Sequence, residues 1–249
     1  MMLPTLIFDL DGTLTDSKQP LTSRMAHLLS ELLAVTRVGV ISGGAMPQFL
    51  RQIVVELPSD ANFANLYLLP TSGAAMYEYQ RGGWTQIYAE RLTDDEMRGI
   101  EAAINEAISE TGVIDLSVPA HGERIELRGS QVTLSTLGQD APLAEKMAWD
   151  PDRSKRAQLQ SAIAKRLPGF LVRIGGKTSI DVTKLGIDKA YGVSKLCEHI
   201  HIPENEALYV GDELGPEGND EAVLRTGAET RSVKNPVETA AFIENLLKK

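Results

Sequence analysis

Residues 6–13 read LIFDLDGT, and this stretch decides the fold class. Its apolar run, residues 6–10, predicts a buried parallel strand, and Asp9 and Asp11 stand at the end of that strand in a loop opened by Gly12. In an open α/β sheet, ligands bind at the carboxyl ends of the strands. The stretch therefore predicts the first strand of such a sheet, with two carboxylates at its ligand-binding edge.

Alternating strand and helix patterns continue from this stretch. Residues 25–33 and 47–55 show helical features, whereas residues 38–41 and 66–69 are short apolar runs typical of buried strands. We predict similar elements after residue 186: a helix at residues 189–199, a strand at 207–210 and a helix at 237–247. Such alternation is the pattern of a doubly wound α/β sheet.

The region between these two parts has a different pattern. We predict strands there at residues 84–89, 124–128, 131–135, 170–174 and 179–182, and helices at 94–111 and 152–167. The strands have the alternating, hairpin-like character of an antiparallel sheet. The predicted organisation is therefore a doubly wound Rossmann-like α/β core, residues 1–80 and 187–249, with an inserted α+β domain at residues 81–186.

Composition excludes several classes of protein. The 249 residues include 25 Lys and Arg against 34 Asp and Glu, a net charge of −9, which disfavours binding to nucleic acid or to an anionic membrane surface. No apolar run approaches the ~18 residues of a transmembrane helix, and the N-terminus lacks a signal-peptide pattern. A single cysteine, Cys197, permits no internal disulfide. We therefore expect a cytoplasmic protein.

The carboxylates at the strand ends predict a metal site. Asp212 and Asp220 follow the predicted strand at residues 207–210, as Asp9 and Asp11 follow the first strand. Like charges this close cost free energy unless a cation or a proton is shared between them. A hard cation with oxygen ligands, above all Mg²⁺, fits these four residues. The alternative is that the aspartates only cap helices or form turns.

Three further positions favour phosphate binding. Ser42 and Gly43 end a predicted strand where backbone amides at a helix start can bind phosphate oxygens, although a serine N-cap uses the same geometry. Lys189 opens a helix and can neutralise phosphate and carboxylate together, although an isolated lysine is usually a surface residue.

The short basic run of Arg153, Lys155 and Arg156 is interpreted as a solvated helix face.

Together these motifs resemble the haloacid dehalogenase superfamily of phosphoryl-transfer enzymes. The matching residues are Asp9, Asp11, Thr13, Ser42, Lys189, Gly211, Asp212, Gly218, Asn219 and Asp220. The resemblance implies that Asp9 attacks phosphorus to form an aspartyl phosphate, and that Asp11 protonates the leaving oxygen. It implies Mg²⁺ held by the Asp9 carboxylate, the Asp11 carbonyl and Asp212, with Asp220 bonding close by. The phosphoryl oxygens would contact Thr13, Ser42, Gly43 and Lys189.

A closer resemblance is to the eukaryotic-type phosphomannomutases, carried by residues 8–15, 125–128, 175–182 and 186–189. It implies that the inserted domain is a cap that closes over a sugar. Ser179 and Asp181 match positions that bond sugar hydroxyls, and Arg128 matches an arginine that grips a distal phosphate. The chain departs from that family at four positions: Lys18, Gln139 and Lys146 stand in place of arginines, and Ser42 in place of a glycine.

These residues leave three functions to weigh. The first is a hexose-phosphate mutase that converts mannose 6-phosphate to mannose 1-phosphate and uses Lys18, Arg128 and Lys146 as a second phosphate site. The alternative is a sugar-phosphate phosphatase, which needs only the Asp9 site. The third, a non-catalytic sensor of sugar phosphates, is disfavoured because no carboxylate of the motif is lost. The expected cofactor is Mg²⁺ and the expected partner a small hexose phosphate; a homodimer is left open.

Overall fold

The computed structural model describes residues 3–216 and 218–248. The chain divides into two compact units: a core unit, Met1–Ala89 with Asp188–Lys249, and an inserted unit, Glu90–Ile187. The predicted boundary at residue 81 falls inside a hairpin of the core unit. Because both strands of that hairpin belong to the core sheet, the division lies after Ala89 instead.

The core unit is built on a seven-stranded sheet. Its strands, numbered along the chain, are β1 (Thr5–Asp9), β2 (Val38–Ile41), β3 (Leu66–Leu69), β4 (Ala75–Gln80), β5 (Gly83–Ala89), β10 (Ala207–Gly211) and β11 (Glu229–Ser232). Their order is β11-β10-β1-β2-β3-β4-β5; β4 runs antiparallel to both β3 and β5, and all other neighbours are parallel. Because β10 lies beside β1 and parallel to it, Asp9 at the end of β1 and Asp212 directly after β10 lie at the same edge of the sheet.

Helices cover both faces of this sheet. The core helices are α1 (Ser23–Val35), α2 (Met46–Phe49), which continues as a π-helix (Leu50–Val54), α6 (Lys189–His199) and α7 (Pro236–Leu247). Leu6 and Phe8 of β1 belong to the apolar cluster that includes residues of α1 and α7, whereas Ile7 packs in the cluster of α6. Successive residues of one buried strand thus face opposite layers, and the predicted doubly wound α/β fold is confirmed.

A left-handed turn, the short 3₁₀ segment Thr71–Gly73, braces the loop after β2. All three of its residues have positive φ, including the β-branched Thr71 at 53°. The amides of Thr71 and Ser72 donate to the carbonyls of Gly44 and Ser42, at 2.9 and 2.8 Å. On its other side the turn touches α6 so closely that a Cβ on Gly73 would lie 2.6 Å from the Cα of Gly192.

The inserted unit pairs an antiparallel sheet with helices. Its strands are β6 (Ile125–Leu127), β7 (Val132–Ser135), β8 (Phe170–Ile174) and β9 (Ser179–Lys184), and its helices α3 (Asp94–Thr111), α4 (Leu143–Trp149) and α5 (Ser154–Arg166). The sheet order is β6-β7-β9-β8. Its buried apolar side chains form one cluster with those of α3 and α5. The opposite face of β7 and β9 carries polar side chains, among them Thr133, Ser135, Ser179 and Asp181. The predicted α+β character of the insert is confirmed.

Differences from the predicted elements have local causes. The prediction missed β4, which follows the left-handed turn, and β11, whose four residues are all exposed and therefore carry no apolar signal. It also missed α4. The interpretation of Arg156 as a solvated residue is wrong: its side chain is buried beside Asp150. Within the described residues, no helix is both long and apolar enough to cross a membrane.

Candidate active site

Three carboxylates converge at the carboxyl edge of the core sheet. Asp9 ends β1, Asp212 directly follows β10, and Asp220 closes the loop after it; one oxygen from each lies within 4.8 Å of the others. Asp9 is 2% exposed and Asp220 fully buried, so these charges are largely removed from water. Burial of like charges at this spacing is unfavourable unless cations compensate it.

Lys189 supplies the cation within the protein. Its ammonium donates to Asp9 Oδ1 at 2.5 Å, to Asp220 Oδ1 at 2.7 Å and to Asn219 Oδ1 at 2.6 Å. An ammonium has three N–H donors, so these acceptors engage all of them. A phosphate oxygen would have to replace one of these acceptors before it could bond to Lys189.

Asp220 is fixed by further donors. The Tyr209 hydroxyl donates to Asp220 Oδ1 at 2.5 Å, and the Glu213 amide donates to Oδ2 at 3.0 Å. Tyr209 is fully buried, and burial together with the charges of Asp220 and Asp9 raises the pKa of its hydroxyl well above the usual value. Asp220 therefore orients Lys189 with both of its own oxygens already bonded. Sequence reasoning missed Tyr209 because it stands in an apolar strand.

Asp9 retains an oxygen without a partner. Lys189 bonds to Oδ1, but Oδ2 is buried and has no hydrogen-bond partner among the described residues. Burial, only partly offset by Lys189, raises the pKa of this carboxyl well above its usual range, and the charges of Asp220 and Asp212 raise it further. Burial tends to lower the pKa of Lys189, but Asp220 and Asp9 outweigh it and the pKa is raised.

The remaining carboxylate, Asp212, is held beside the first loop. Thr13 Oγ1 donates to Asp212 Oδ1 at 3.1 Å, and a Cβ on Gly12, which has φ +98°, would lie 2.5 Å from Asp212 Oδ2. Glycine is therefore required by both the space and the backbone angle. Burial, with the nearby Asp220 and Glu213 charges, raises the pKa of Asp212 to about 6.

The donor set fits a divalent cation. Three carboxylates against one ammonium leave excess negative charge in a buried space, and Asp9 Oδ2 is an acceptor that lacks a donor. Hard cations such as Mg²⁺ prefer carboxylate and carbonyl oxygens. Asp9 and Asp212 are the better candidate ligands, because the oxygens of Asp220 are occupied by Lys189, Tyr209 and the Glu213 amide.

Asp11 is held apart from this cluster by its own donors. The Lys18 amide donates to Asp11 Oδ1 at 2.5 Å, whereas Gln48 Nε2 and Ser42 Oγ donate to Oδ2 at 3.2 and 3.5 Å. The predicted metal role of the Asp11 side chain thus differs from the grouping seen here, which joins Asp9, Asp212 and Asp220. Gln48 was not predicted, since a glutamine in a helix has no distinctive pattern.

The loop after β2 lies beside Asp11. The amide of Gly44 donates to Ser42 Oγ at 3.2 Å, and Gly43, which was predicted to bind phosphate, is half-buried between these two residues. The left-handed turn described above fixes the carbonyls of Ser42 and Gly44. The predicted core residues therefore come together at one edge of the sheet.

The predicted residues of the inserted unit have partners of their own. Arg128 is paired with Glu126 at 2.6 Å, and Lys146 Nζ, on a buried side chain, donates to the Gln139 carbonyl at 3.0 Å. Asp181 Oδ1 accepts from Thr133 Oγ1 at 2.8 Å.

Two polar rows connect these residues along β7 and β9. Gln131 Nε2 donates to Thr133 Oγ1 at 2.8 Å, and Thr133 stands opposite Asp181 in the sheet register. Ser179 stands opposite Ser135 in the same register. The polar face of this sheet thus carries the predicted residues Arg128, Ser179 and Asp181. Their neighbours Gln131 and Thr133 were not predicted.

Known proteins resemble this chain in sequence over most of its length. The family description "Eukaryotic phosphomannomutase" matches residues 25–249. Phosphomannomutase 2 of Dictyostelium discoideum is 26% identical over 251 residues, covering 96% of this chain and 94% of that protein. The phosphomannomutase of Saccharomyces cerevisiae is 24% identical over 250 residues, covering 97% and 93%.

Solved structures resemble the fold. The N-terminally truncated IMP-nucleotidase of Plasmodium falciparum has a TM-score of 0.72 at 17% identity, covering 98% of this chain and 70% of that one. A haloacid dehalogenase-like hydrolase from Bacteroides thetaiotaomicron has a TM-score of 0.65 at 18% identity, covering 98% and 99%. At such identities the likeness shows the shared fold.

Proposed function

Because this chain belongs to the eukaryotic phosphomannomutase family, we propose that it transfers a phosphoryl group on a hexose phosphate through an aspartyl phosphate at Asp9. The observation that carries the proposal is the state of the Asp9 carboxylate: Lys189 holds one oxygen, and the other is buried without a partner at the edge of the sheet. A carboxylate restrained in this way is oriented for nucleophilic attack and loses little entropy in reaching it.

The protein residues divide the work in two steps. Asp9 attacks phosphorus, the bond from phosphorus to the leaving oxygen breaks, and Asp11 gives that oxygen a proton. In the second step Asp11 takes a proton from the incoming hydroxyl or water, which displaces Asp9 from phosphorus. Lys189 keeps Asp9 oriented, and Thr13, Ser42 and Gly43 are proposed to contact the phosphoryl oxygens. Asp9, Asp212 and the Asp11 carbonyl would hold Mg²⁺, which neutralises charge that develops on the phosphoryl group.

The mutase reaction, mannose 6-phosphate to mannose 1-phosphate, is the first proposal for the substrate. Family membership supports it, together with the polar face of the inserted unit that carries Arg128, Ser179 and Asp181. A mutase also needs a second phosphate site, for which Lys18, Arg128 and Lys146 are proposed. A cytoplasmic location and a homodimer stay predictions.

A sugar-phosphate phosphatase is the second candidate, and a specific observation favours it. Glu126 partly neutralises Arg128, and Lys146 donates to a backbone carbonyl. Position 139, an arginine in the family pattern, is the neutral Gln139. A weakened second phosphate site would release the bisphosphorylated intermediate, or admit water to the aspartyl phosphate.

The experiment measures two products from mannose 6-phosphate with a trace of hexose bisphosphate: mannose 1-phosphate and inorganic phosphate. The mutase proposal predicts mainly mannose 1-phosphate. Arg128→Ala should raise the transition-state free energy for its formation by roughly 2–4 kcal/mol. Arg98→Ala, at an exposed pair with Asp95 on α3, is the matched control. Steady phosphate release without exchange would establish the phosphatase instead. Asp9→Asn should abolish both products; activity above a few per cent of wild type would refute the nucleophile.

A further inference from the structure

Gln48 occupies a place in the site that the family resemblance does not account for. It lies in α2, and its Nε2 donates to Asp11 Oδ2 at 3.2 Å. The amide rests directly over Gly44: a Cβ at position 44 would lie 2.4 Å from Gln48 Oε1 and 2.6 Å from Cδ. The side chain therefore reaches Asp11 along a path that a bare glycine leaves open.

The two oxygens of Asp11 have different kinds of neighbour. Oδ1 accepts from the Lys18 backbone amide, which can only donate. Oδ2 faces the amide of Gln48 and the hydroxyl of Ser42, and each of these groups can donate or accept. Oδ1 is thus held by a fixed backbone donor, whereas the orientation of Oδ2 depends on the Gln48 and Ser42 side chains.

From these contacts we propose that Gln48 is a positioning residue for Asp11, and the proposal rests on the acid–base role given to Asp11 above. Its Nε2 donates to Oδ2 and, with the Lys18 amide on Oδ1, holds the carboxyl group in one orientation. An amide does this without adding a charge beside the three carboxylates of the core. Gln48 thereby keeps Asp11 in place for proton transfer to the leaving oxygen.

The test compares two substrates that differ in their need for an acid. A hexose phosphate has a poor leaving group that must be protonated, whereas a nitrophenyl phosphate leaves without help. Gln48→Met keeps the length of the side chain and removes the donor. We expect kcat/KM for the hexose phosphate to fall about tenfold and that for nitrophenyl phosphate less than about twofold. Gln48→Glu, which adds a repelling charge, should show a larger difference between the substrates.

Controls separate positioning from simple damage to the fold. Gln86→Met makes the same substitution at an exposed residue of β5, whose Nε2 donates to the Tyr77 hydroxyl. This variant should change kcat/KM for neither substrate. Thermal unfolding of all variants identifies any loss of folding. Equal losses on both substrates would overturn the proposal, because they would indicate a role in phosphate binding; unchanged rates on both would overturn it as well.

The same assays keep this proposal distinct from the function it depends on. Wild type and Asp9→Asn are measured beside the Gln48 variants with both substrates. An inactive wild type, or an active Asp9→Asn, would reject the aspartyl-phosphate enzyme. A wild type that turns over both substrates through Asp9, with Gln48 variants that lack substrate selectivity, would reject only the role of Gln48.

Discussion

Each unit of the chain buries an ion pair, and the two pairs differ in charge balance. In the core unit Lys189 is shared by Asp9 and Asp220, and one oxygen of Asp9 has no partner among the described residues. In the inserted unit Arg156 meets a single carboxylate, Asp150, at 2.7 Å, and both are at most 3% exposed.

The pair in the inserted unit is closed. Asp150 accepts from the amides of Lys155 and Arg156, while the guanidinium also donates to the carbonyls of Asp150 and Gly176. These contacts join the start of α5 to the turn between β8 and β9, so the pair has a structural role. The core cluster, with three carboxylates and one ammonium, keeps an excess charge that folding alone would not favour. Both ion pairs are buried, so the unbalanced charge of the core cluster, and not its burial, distinguishes a functional site from a structural pair.

Removal of the core cation should have the largest effect. Lys189→Met leaves Asp9 and Asp220 buried without a counter-charge, so we expect a loss of about 5 kcal/mol in the free energy of unfolding, together with loss of turnover. The stability loss should shrink as pH falls, because Asp9, whose pKa is raised by burial, becomes neutral on protonation. Urea unfolding at several pH values measures it. A variant as stable as wild type at pH 7.5 would contradict the proposed strength of the cluster.

Removal of the insert cation should also destabilise, but with a different signature. Arg156→Met leaves Asp150 bonded to two backbone amides, and we expect a loss of about 3 kcal/mol in unfolding free energy. Because the pair lies in the inserted unit, metal binding by the core should persist, as measured by Mg²⁺-induced thermal stabilisation. If that stabilisation disappeared in a folded variant, the separation of structural and functional pairs would be wrong.

Reduction of the excess charge should stabilise the metal-free protein. The pKa of Asp212 is about 6 when folded against 3.8 for the ordinary group, so the folded state holds this proton more tightly and ionisation costs folding free energy above pH 6. Asp212→Asn should then gain about 1–2 kcal/mol at pH 7.5 in a chelator, and the gain should vanish below about pH 4.

Magnesium should reverse the stability order of wild type and Asp212→Asn. Wild type gains stability when Mg²⁺ occupies the carboxylates, whereas Asp212→Asn has lost a ligand and should gain little. Thermal unfolding with and without Mg²⁺, with Ca²⁺ as a comparison, checks both arms. An Asn variant that is less stable than wild type in chelator, or equally stabilised by Mg²⁺, would count against the metal site.

The smallest expected effect concerns a neutral donor. Tyr209→Phe removes one hydrogen bond to Asp220 Oδ1 and keeps the ring, so we expect a loss of about 1 kcal/mol in unfolding free energy. Tyr67→Phe in β3 is the matched control, since Tyr67 is also a buried tyrosine of the core sheet. A Tyr209→Phe variant no less stable than this control would show that Lys189 and the Glu213 amide suffice to hold Asp220.

Much of the core could be predicted from sequence because its signals are local. The apolar run before Asp9 identifies a strand, and the polar residues after it mark the strand end, so Asp9, Ser42 and Asp212 fall at one edge once the strands are parallel. Lys189 begins a helix with the predicted bounds.

The remaining site residues depend on contacts between distant segments, which the sequence does not display. Tyr209 has the apolar neighbours of any buried strand, and its hydroxyl finds Asp220 only after the loop folds back. The neighbouring basic residues in the sequence indicate a solvated Arg156. Its side chain is buried because it donates to the Gly176 carbonyl and pairs with Asp150, contacts that form only in the folded chain. Thr133 and Asp181 are brought together by sheet register, 48 residues apart.

The contact of Gly73 with Gly192 makes both positions intolerant of substitution. Any side chain at either position would push the left-handed turn away from α6, and α6 carries Lys189 one turn before Gly192. In a genetic selection, substitutions there would be scored as loss of activity although neither residue has a reactive group. A directed-evolution campaign toward new sugars would gain more from diversity in the polar strands of the inserted unit than from these two glycines.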